Sequence, residues 1–176
     1  MDHSPGFLAH VEGKRANVHE VSVDDARQAL ASDSSAHLFD VREDLEWTAA
    51  HAAGAEHLAR GVVERDIERL VPDKSTPLYL YCGGGFRSAL VADALQQMGY
   101  TGVHSIAGGW RAWEEAGAPV KRSEPVARIR VTDVAAALAA LREAGAAIVG
   151  ADIEAGHTVA IVQADDGNRI ELWQDR

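Results

Sequence analysis

Short apolar runs alternate with segments of helical periodicity through the first two thirds of the chain. A run of about four apolar residues bounded by polar residues is typical of a strand, and apolar residues three and four apart are typical of a helix. The pattern predicts strands over residues 18–21, 36–39, 57–58, 78–81 and 103–106. It predicts helices over residues 23–30, 62–70, 88–98 and 109–116. Because strands and helices alternate, the sequence predicts an α/β fold with a parallel sheet and helices on both faces.

The two ends of this region differ from the alternating pattern. Residues 1–15 mix glycine, histidine and charge without clear periodicity, so we expect an extended N-terminal arm with His3 and His10 in solvent. Residues 121–125 combine charge, serine and proline and are typical of a linker. The alternating segments therefore define one predicted domain over residues 16–120.

Residues 126–176 carry a second pattern, one strand, one helix and three further strands. The last two strands, at 157–164 and 169–173, flank Asp165-Asp166-Gly167-Asn168, which is a strong hairpin signal. The order is that of a small α+β βαβββ module. A module of about 50 residues buries little surface alone. We therefore expect two chains to pair through it as a homodimer, which would cover its open sheet face and edge.

Charge and composition narrow the classes of partner. The chain has 17 basic and 27 acidic residues, and its net charge of −10 argues against nucleic acid and anionic membrane surfaces as partners. No stretch is long and apolar enough to span a membrane, and the N-terminus lacks the layout of a signal peptide, so we expect a cytoplasmic protein. His51, His57 and His104 lack metal-ligand spacing, so we expect no metal and no other cofactor.

The candidate chemistry centres on Cys82, the single cysteine, which follows a predicted strand and precedes a predicted helix. Three consecutive glycines come next, and glycine allows the backbone to fold into a tight cradle of amide N–H groups. The positive end of the helix and the nearby Arg87 favour an ionised, nucleophilic thiol. A buried apolar filler is the alternative role for Cys82, but it leaves the glycines and the arginine unexplained.

Two further stretches should meet the cysteine loop. Residues 40–42 and 107–110 also come directly after predicted strands, and the carboxyl ends of parallel strands share one edge of a sheet. We expect Asp40 and Arg42 to hold this rim by pairing with each other. Trp110, Phe86 and Trp47 are candidates for the wall of a pocket or for plain core.

Several separated motifs, in a fixed order, resemble those of the rhodanese family of sulfurtransferases. They are Phe39-Asp40-Val41-Arg42-Glu43, Ala50-His51-Ala52-Ala53-Gly54-Ala55, Tyr81-Cys82-Gly83-Gly84-Gly85-Phe86-Arg87-Ser88 and Ala107-Gly108-Gly109-Trp110-Arg111-Ala112-Trp113. The second motif lacks the usual isoleucine and proline, which affects local structure away from the cysteine. The resemblance covers residues 18–120.

This resemblance implies a persulfide mechanism. Cys82 would take a sulfane sulfur from a donor such as thiosulfate or a persulfide and pass it to a thiol or to cyanide. Arg87 would add positive charge near an anionic donor. The resemblance also assigns substrate binding to the other loop residues, namely Gly83, Gly84, Gly85, Phe86 and Ser88. With one cysteine, the chain has no internal thiol to receive the sulfur, so the acceptor must be a separate molecule.

Two other functions stay open at this stage. Cysteine-dependent phosphatases and arsenate reductases use a longer loop, with five residues between cysteine and arginine, whereas four residues separate Cys82 from Arg87 and Ser88 takes the expected position of the arginine. The alternative of a different class is a binding module that carries or senses sulfur without turnover. Inactive relatives typically lose the cysteine, so its presence favours chemistry.

The C-terminal module more weakly resembles half of a vicinal oxygen chelate domain, the glyoxalase and bleomycin-resistance type of fold. The resemblance rests on residues 133–145 and 165–173. It implies a metal ligand at the position of Glu171. Arg128 and Arg130 stand where a histidine or glutamine ligand is expected, so we expect no metal there and a strand-edge carboxylate at Glu171.

Overall fold

The computed structural model describes residues 3–122, 127–154, 157–163 and 169–175. It divides into two compact units, Met1–Lys121 and Arg122–Arg176. No helix in the described ranges is long and apolar enough to cross a membrane.

The first unit holds a five-stranded, wholly parallel sheet. Its strands are β1 (His19–Val21), β2 (His37–Asp40), β4 (Glu56–His57), β5 (Leu78–Tyr81) and β6 (Val103–Ile106), in the order β1-β6-β5-β2-β4. Two further short strands, β3 (Ala50–Ala52) and β7 (Val120–Arg122), pair with each other. The helices are α1 (Pro5–Arg15), α2 (Val23–Ser32), α3 (Asp44–Ala49), α4 (Val63–Leu70), α5 (Phe86–Gln97) and α6 (Gly109–Glu115), with a 3₁₀ turn at Arg60–Val62.

Helices cover both faces of this sheet, as the alternation of segments predicts. On the central strand β5, Leu78 and Leu80 pack into the core formed with α4 and α5. Tyr79 and Tyr81 alternate to the other face and pack with α2 and with Trp113 of α6. All four side chains are buried. A strand buried on both faces reads as a continuous apolar run, which is why the pattern identified it. The predicted α/β class is confirmed.

The prediction of an extended arm was wrong for residues 5–15, although His3 and His10 are exposed as expected. Ser4 caps helix α1 by accepting a hydrogen bond from the Phe7 amide, and Pro5 occupies the first turn, where a proline is tolerated. Val11 is buried against Ala89 and Leu90 of α5. The helix is weakly amphipathic because it buries a narrow stripe, and so its sequence shows little periodicity.

Two other local predictions need correction. Helix α3 was missed, although Glu43 and Glu46 form a capping box at its start. Strand β7 includes Lys121 and Arg122, which were assigned to a linker. The rest of that segment, residues 123–125, lies outside the described residues.

The second unit has the predicted order of one strand, one helix and three strands. These are β8 (Ala127–Arg130), α7 (Val134–Glu143), β9 (Ala147–Glu154), β10 (His157–Gln163) and β11 (Arg169–Asp175), and the sheet order is β8-β11-β10-β9. Val134 and Leu138 of α7 pack on Ala160, Val162 and Leu172 of the sheet. The predicted hairpin turn at 165–168 lies outside the described residues.

Glu171 is not at a strand edge, contrary to expectation. It is buried, and it lies on β11, which is an interior strand flanked by β8 and β10. The relationship of this unit to vicinal oxygen chelate domains and the pairing of two chains through it stay predictions.

Candidate active site at the cysteine loop

Cys82 follows the last residue of β5 and is almost fully buried, with 1% of its surface exposed. The loop Gly83–Gly85 then turns the chain into α5, which begins at Phe86. Gly85 makes this turn with a φ of +86°, a left-handed conformation that L side chains rarely adopt. The geometry therefore places the sulfur beside the positive end of a 12-residue helix.

The start of helix α6 packs directly against the cysteine loop. The Trp110 amide donates a hydrogen bond of 2.6 Å to the Cys82 carbonyl, and the Arg111 amide donates one of 3.3 Å to the Gly83 carbonyl. This approach requires a glycine before Trp110, because a Cβ atom on Gly109 would collide with the Cys82 carbonyl oxygen. Helix α6 thus satisfies two loop carbonyls with its own first amides.

Three amides of the cysteine loop lack an acceptor in the part of the chain that the structure describes. The N–H groups of Gly83, Gly84 and Gly85 form no hydrogen bond to any group in the described part of the chain. Gly85 is buried and the other two are half-buried, and a buried backbone N–H seldom stays unpaired, since it costs free energy comparable to a lost hydrogen bond. These amides are thus available to an anion or to a sulfur atom held on Cys82.

A chain of two hydroxyls leads to the sulfur from below the loop. The Ser88 hydroxyl donates to Cys82 Sγ over 3.6 Å, and the Ser105 hydroxyl on β6 donates to Ser88 Oγ over 2.9 Å. Both serines are fully buried. Ser88 was among the predicted site residues, whereas Ser105, which is 23 positions from the cysteine in the sequence, was not.

Arg87 is held in a bidentate ion pair with Glu46. Its two terminal nitrogens lie 2.7 and 2.8 Å from the carboxylate oxygens, and Glu43 lies 3.6 Å away. The hydrogen bonds that Arg87 donates to Glu46 raise the pKa of Arg87 above its usual value. Burial alone would raise the pKa of Glu46, but the bonds and charge of Arg87 outweigh it and lower that pKa. Arg87 is therefore at the loop, as expected, with its charge largely offset.

Asp40 and Arg42 form a buried ion pair at the rim. Asp40 accepts from the Arg42 side chain at 2.6–3.0 Å, and Arg42 also donates to the Ala50 carbonyl. The guanidinium lies 4.5 Å from the ring centre of Trp110 and 5.5 Å from that of Tyr81, within the range of a cation–π contact. The pair thus supports Trp110 from behind.

A cleft of about 790 Å³ opens above the cysteine. Phe86 and Trp110, which the sequence left open between pocket wall and core, line it, and so do Cys82, Gly83, Gly84 and Arg87. Trp47 does not line it but stacks on His51, with ring centres 3.5 Å apart, and on His57 at 5.0 Å. In the described ranges, no group of three histidine, cysteine, aspartate or glutamate residues could hold a metal ion.

Sequence reasoning missed five residues that line this cleft. They are His3, Phe7, Glu46, Arg60 and Arg111. Glu46 had a usable signal, since two glutamates three positions apart after a strand are typical of a helix start. Arg111 lies inside a motif that was already identified. The other three are placed by packing between distant parts of the chain, for which the local sequence carried no signal.

Comparison with known proteins agrees with this geometry. The model of the rhodanese-like domain family matches residues 22–116. The chain is 33% identical over 98 residues to the thiosulfate sulfurtransferase GlpE of Vibrio cholerae, covering 56% of this chain and 91% of that protein. It is 30% identical over 104 residues to the Bacillus subtilis protein YrkF, which is named as a proposed sulfur carrier. This match covers 59% of this chain but only 55% of YrkF.

Solved structures show the same fold. The polysulfide-sulfur transferase homodimer of Wolinella succinogenes aligns with a TM-score of 0.60 at 26% identity, over 68% of this chain and 89% of that one. A Rhodopseudomonas palustris protein of unknown function, described as a possible tyrosine phosphatase, aligns with a TM-score of 0.59 at 27% identity, over 69% and 98% of the two chains. Because the family match spans more than half of the 176 residues and includes the whole cysteine loop, the chain belongs to the rhodanese-like family.

Proposed function

We propose that the protein is a sulfurtransferase that carries a sulfane sulfur as a persulfide on Cys82. The observation that carries this proposal is the setting of the thiol. It is buried beside the positive end of α5, and it accepts a hydrogen bond from Ser88. It also faces a cleft next to three loop amides that have no partner among the described residues. Membership of the family and relatives named as sulfur transferases support the same activity.

The proposed cycle has two nucleophilic displacements on sulfur. The Cys82 thiolate attacks the outer sulfur of thiosulfate, the S–S bond of the donor breaks, and sulfite leaves with the bonding electron pair. The terminal sulfur of the new persulfide is negatively charged, and the loop amides stabilise that charge. An acceptor thiolate or cyanide then attacks the terminal sulfur. The products are a new persulfide or thiocyanate, and the Cys82 thiolate is regenerated.

Hydrolysis of a phosphate ester is the less favoured chemistry at this loop. A phosphatase loop surrounds a phosphate with amides and an arginine, but this loop is one residue shorter than that pattern. The guanidinium of Arg87 is also engaged by Glu46 in two hydrogen bonds. The name of the Rhodopseudomonas palustris protein nevertheless makes p-nitrophenyl phosphate a useful control substrate.

Intact mass spectrometry tests the proposal. The protein is incubated with thiosulfate or glutathione persulfide, measured, and measured again after cyanide is added. We expect the mass of one added sulfur atom, lost on cyanide treatment and absent from a Cys82→Ser variant; the single cysteine makes the assignment unambiguous. No adduct with either donor would refute the proposal, and cysteine-dependent release of p-nitrophenol would replace it. An adduct that forms once without turnover in excess donor and acceptor would indicate a sulfur carrier.

A further inference from the structure

The cleft above Cys82 is much larger than the simplest sulfur donor. Thiosulfate has five heavy atoms, and at about 30 Å³ for each water-sized atom it would fill on the order of 150 Å³. The cleft measures about 790 Å³. Thiosulfate would therefore leave most of the cleft unfilled, and the residues that line the rest of it can contact a larger compound.

An aromatic wall, formed by His3, Phe7 and Phe86, lines one side of this space. The ring centres lie 5.0 Å apart for His3 and Phe7, 4.7 Å for His3 and Phe86, and 6.0 Å for Phe7 and Phe86. These are contact distances for aromatic pairs. Two of the three rings come from the N-terminal segment and α1, which precede the part of the chain that matches the family model. Two of the three rings of the wall thus lie outside the matched family domain.

Unpaired positive charge lies at the same cleft. Arg111 and Arg60 both line it, and both are exposed. Neither forms an ion pair with any residue in the described ranges, whereas Arg87 is paired with Glu46. Gly84 provides the space for Arg111, because a Cβ atom at Gly84 would collide with the Arg111 guanidinium. Near the loop, Arg111 rather than Arg87 is therefore the arginine whose charge is not offset by an ion pair among the described residues.

We propose that the cleft selects organic sulfur donors that join an anionic group to an apolar body. The aromatic wall contacts the apolar body, and Arg111 binds the anionic group by charge-assisted hydrogen bonds. The turnover of such donors depends on the proposed sulfurtransferase activity, and this inference adds a substrate class to that activity. Binding to the cleft does not depend on that activity.

Benzenethiosulfonate is a matched probe for thiosulfate. Its phenyl ring replaces one oxygen of thiosulfate, and the transferred sulfur is bonded in the same way. Cys82 thiolate attacks this sulfur, the S–S bond breaks, and benzenesulfinate leaves with the electron pair. The two donors therefore form the same persulfide and differ mainly in the apolar body that the aromatic wall would contact.

Steady-state kinetics with both donors separate the two contacts. We expect Phe7→Ala to raise KM for benzenethiosulfonate about 5–10-fold and KM for thiosulfate less than about 2-fold, because only the aromatic donor contacts the wall. Arg111→Gln should raise KM for both donors about 5-fold with little change in kcat, the pattern of lost uniform binding. Leu8→Ala, an exposed neighbour on the same helix, and Arg69→Gln, an exposed arginine of α4, should change neither.

Equal KM changes for the two donors in Phe7→Ala, or unchanged KM values in Arg111→Gln, would overturn the inference while leaving the sulfurtransferase activity intact. A direct binding measurement tests the site even if the protein has no sulfurtransferase activity. In the Cys82→Ser protein, calorimetry should show benzenesulfonate binding at least about 5-fold tighter than sulfate, and Arg111→Gln should weaken it. This readout does not depend on sulfur transfer, and neither protein carries a substitution in α1. No preference for benzenesulfonate over sulfate would refute the site even if the enzyme is active.

Discussion

The hydroxyl chain below Cys82 allows a test by a double-mutant cycle. Ser105 donates to Ser88, which donates to the sulfur, and both side chains are fully buried. In the described part of the chain, the Ser105 hydroxyl has Ser88 as its acceptor and no other. Because of the order of the two bonds, Ser88→Ala and Ser105→Ala should differ in their free energy of unfolding, although each removes one hydroxyl.

The cost of each change follows from which group is left unpaired. Ser88→Ala leaves the buried Ser105 hydroxyl without an acceptor, and an unsatisfied buried donor costs about 1–3 kcal/mol. Ser105→Ala leaves the bond from Ser88 to Cys82 in place and removes one neutral hydrogen bond, at about 0.5–1.5 kcal/mol. The double variant contains no unpaired hydroxyl. We therefore expect it to be about 1–2 kcal/mol more stable than the sum of the single effects predicts.

Urea unfolding of the wild type, both single variants and the double variant measures this interaction. The same four proteins report on the thiolate through alkylation of the single cysteine by iodoacetamide at neutral pH. Loss of the Ser88 hydroxyl removes a hydrogen-bond donor to the sulfur, so we expect alkylation to slow about 5-fold in Ser88→Ala and less in Ser105→Ala. A Ser88→Thr variant, which retains a hydroxyl, should recover most of the rate.

Additive free energies of unfolding within 0.3 kcal/mol would refute the reasoning, since distant sites add to within about that margin. That result would mean that Ser105 finds another partner when Ser88 is shortened. Equal alkylation rates in all four proteins would show that the hydroxyls do not stabilise the thiolate.

Three further results are expected. Glu46→Gln frees the Arg87 guanidinium, so initial rates should show a KM for thiosulfate lowered a few-fold but a protein less stable by about 1 kcal/mol, and an unchanged KM would contradict this. Gly109→Ala brings a Cβ atom against the Cys82 carbonyl and should cost at least about 3 kcal/mol of stability by urea unfolding and most of the activity; a wild-type midpoint would disprove the close approach. Burial lowers the pKa of His104 from 6.5, so the unfolded state binds more protons and stability should fall as pH drops below that value. The urea midpoint of His104→Gln should fall less between pH 7.5 and pH 5.5 than that of the wild type. Equal losses in the two proteins would argue against a lowered pKa of His104 in the folded state.

The local sequence was sufficient for the sheet and for the turn that follows Cys82. A strand such as β5, buried on both faces, has to be a continuous apolar run, and that run is visible without any tertiary information. The turn after Cys82 was identifiable because it requires glycine, and Gly85 does adopt a left-handed conformation. Features imposed by backbone geometry on neighbouring residues can be read from the order of residues.

Helix α1 shows where such reading fails. Its Val11 is buried and its Phe7 lines the cleft. Both side chains pack against α5, which lies more than 70 residues later in the chain. A helix that buries so narrow a stripe has a weak apolar period, because most of its positions face solvent. Its existence depends on a partner that local periodicity does not reveal.

The sequence by itself determined the α/β alternation, the glycine-rich turn and the single thiol, because each is written in adjacent residues. The tertiary structure decided which charges are available at the site. Arg87 stands next to the cysteine in the loop, yet Glu46 from another element engages it, and Arg111 remains unpaired among the described residues. The interaction of two charges depends on their separation in space and on the groups around them, and the order of residues along the chain specifies neither.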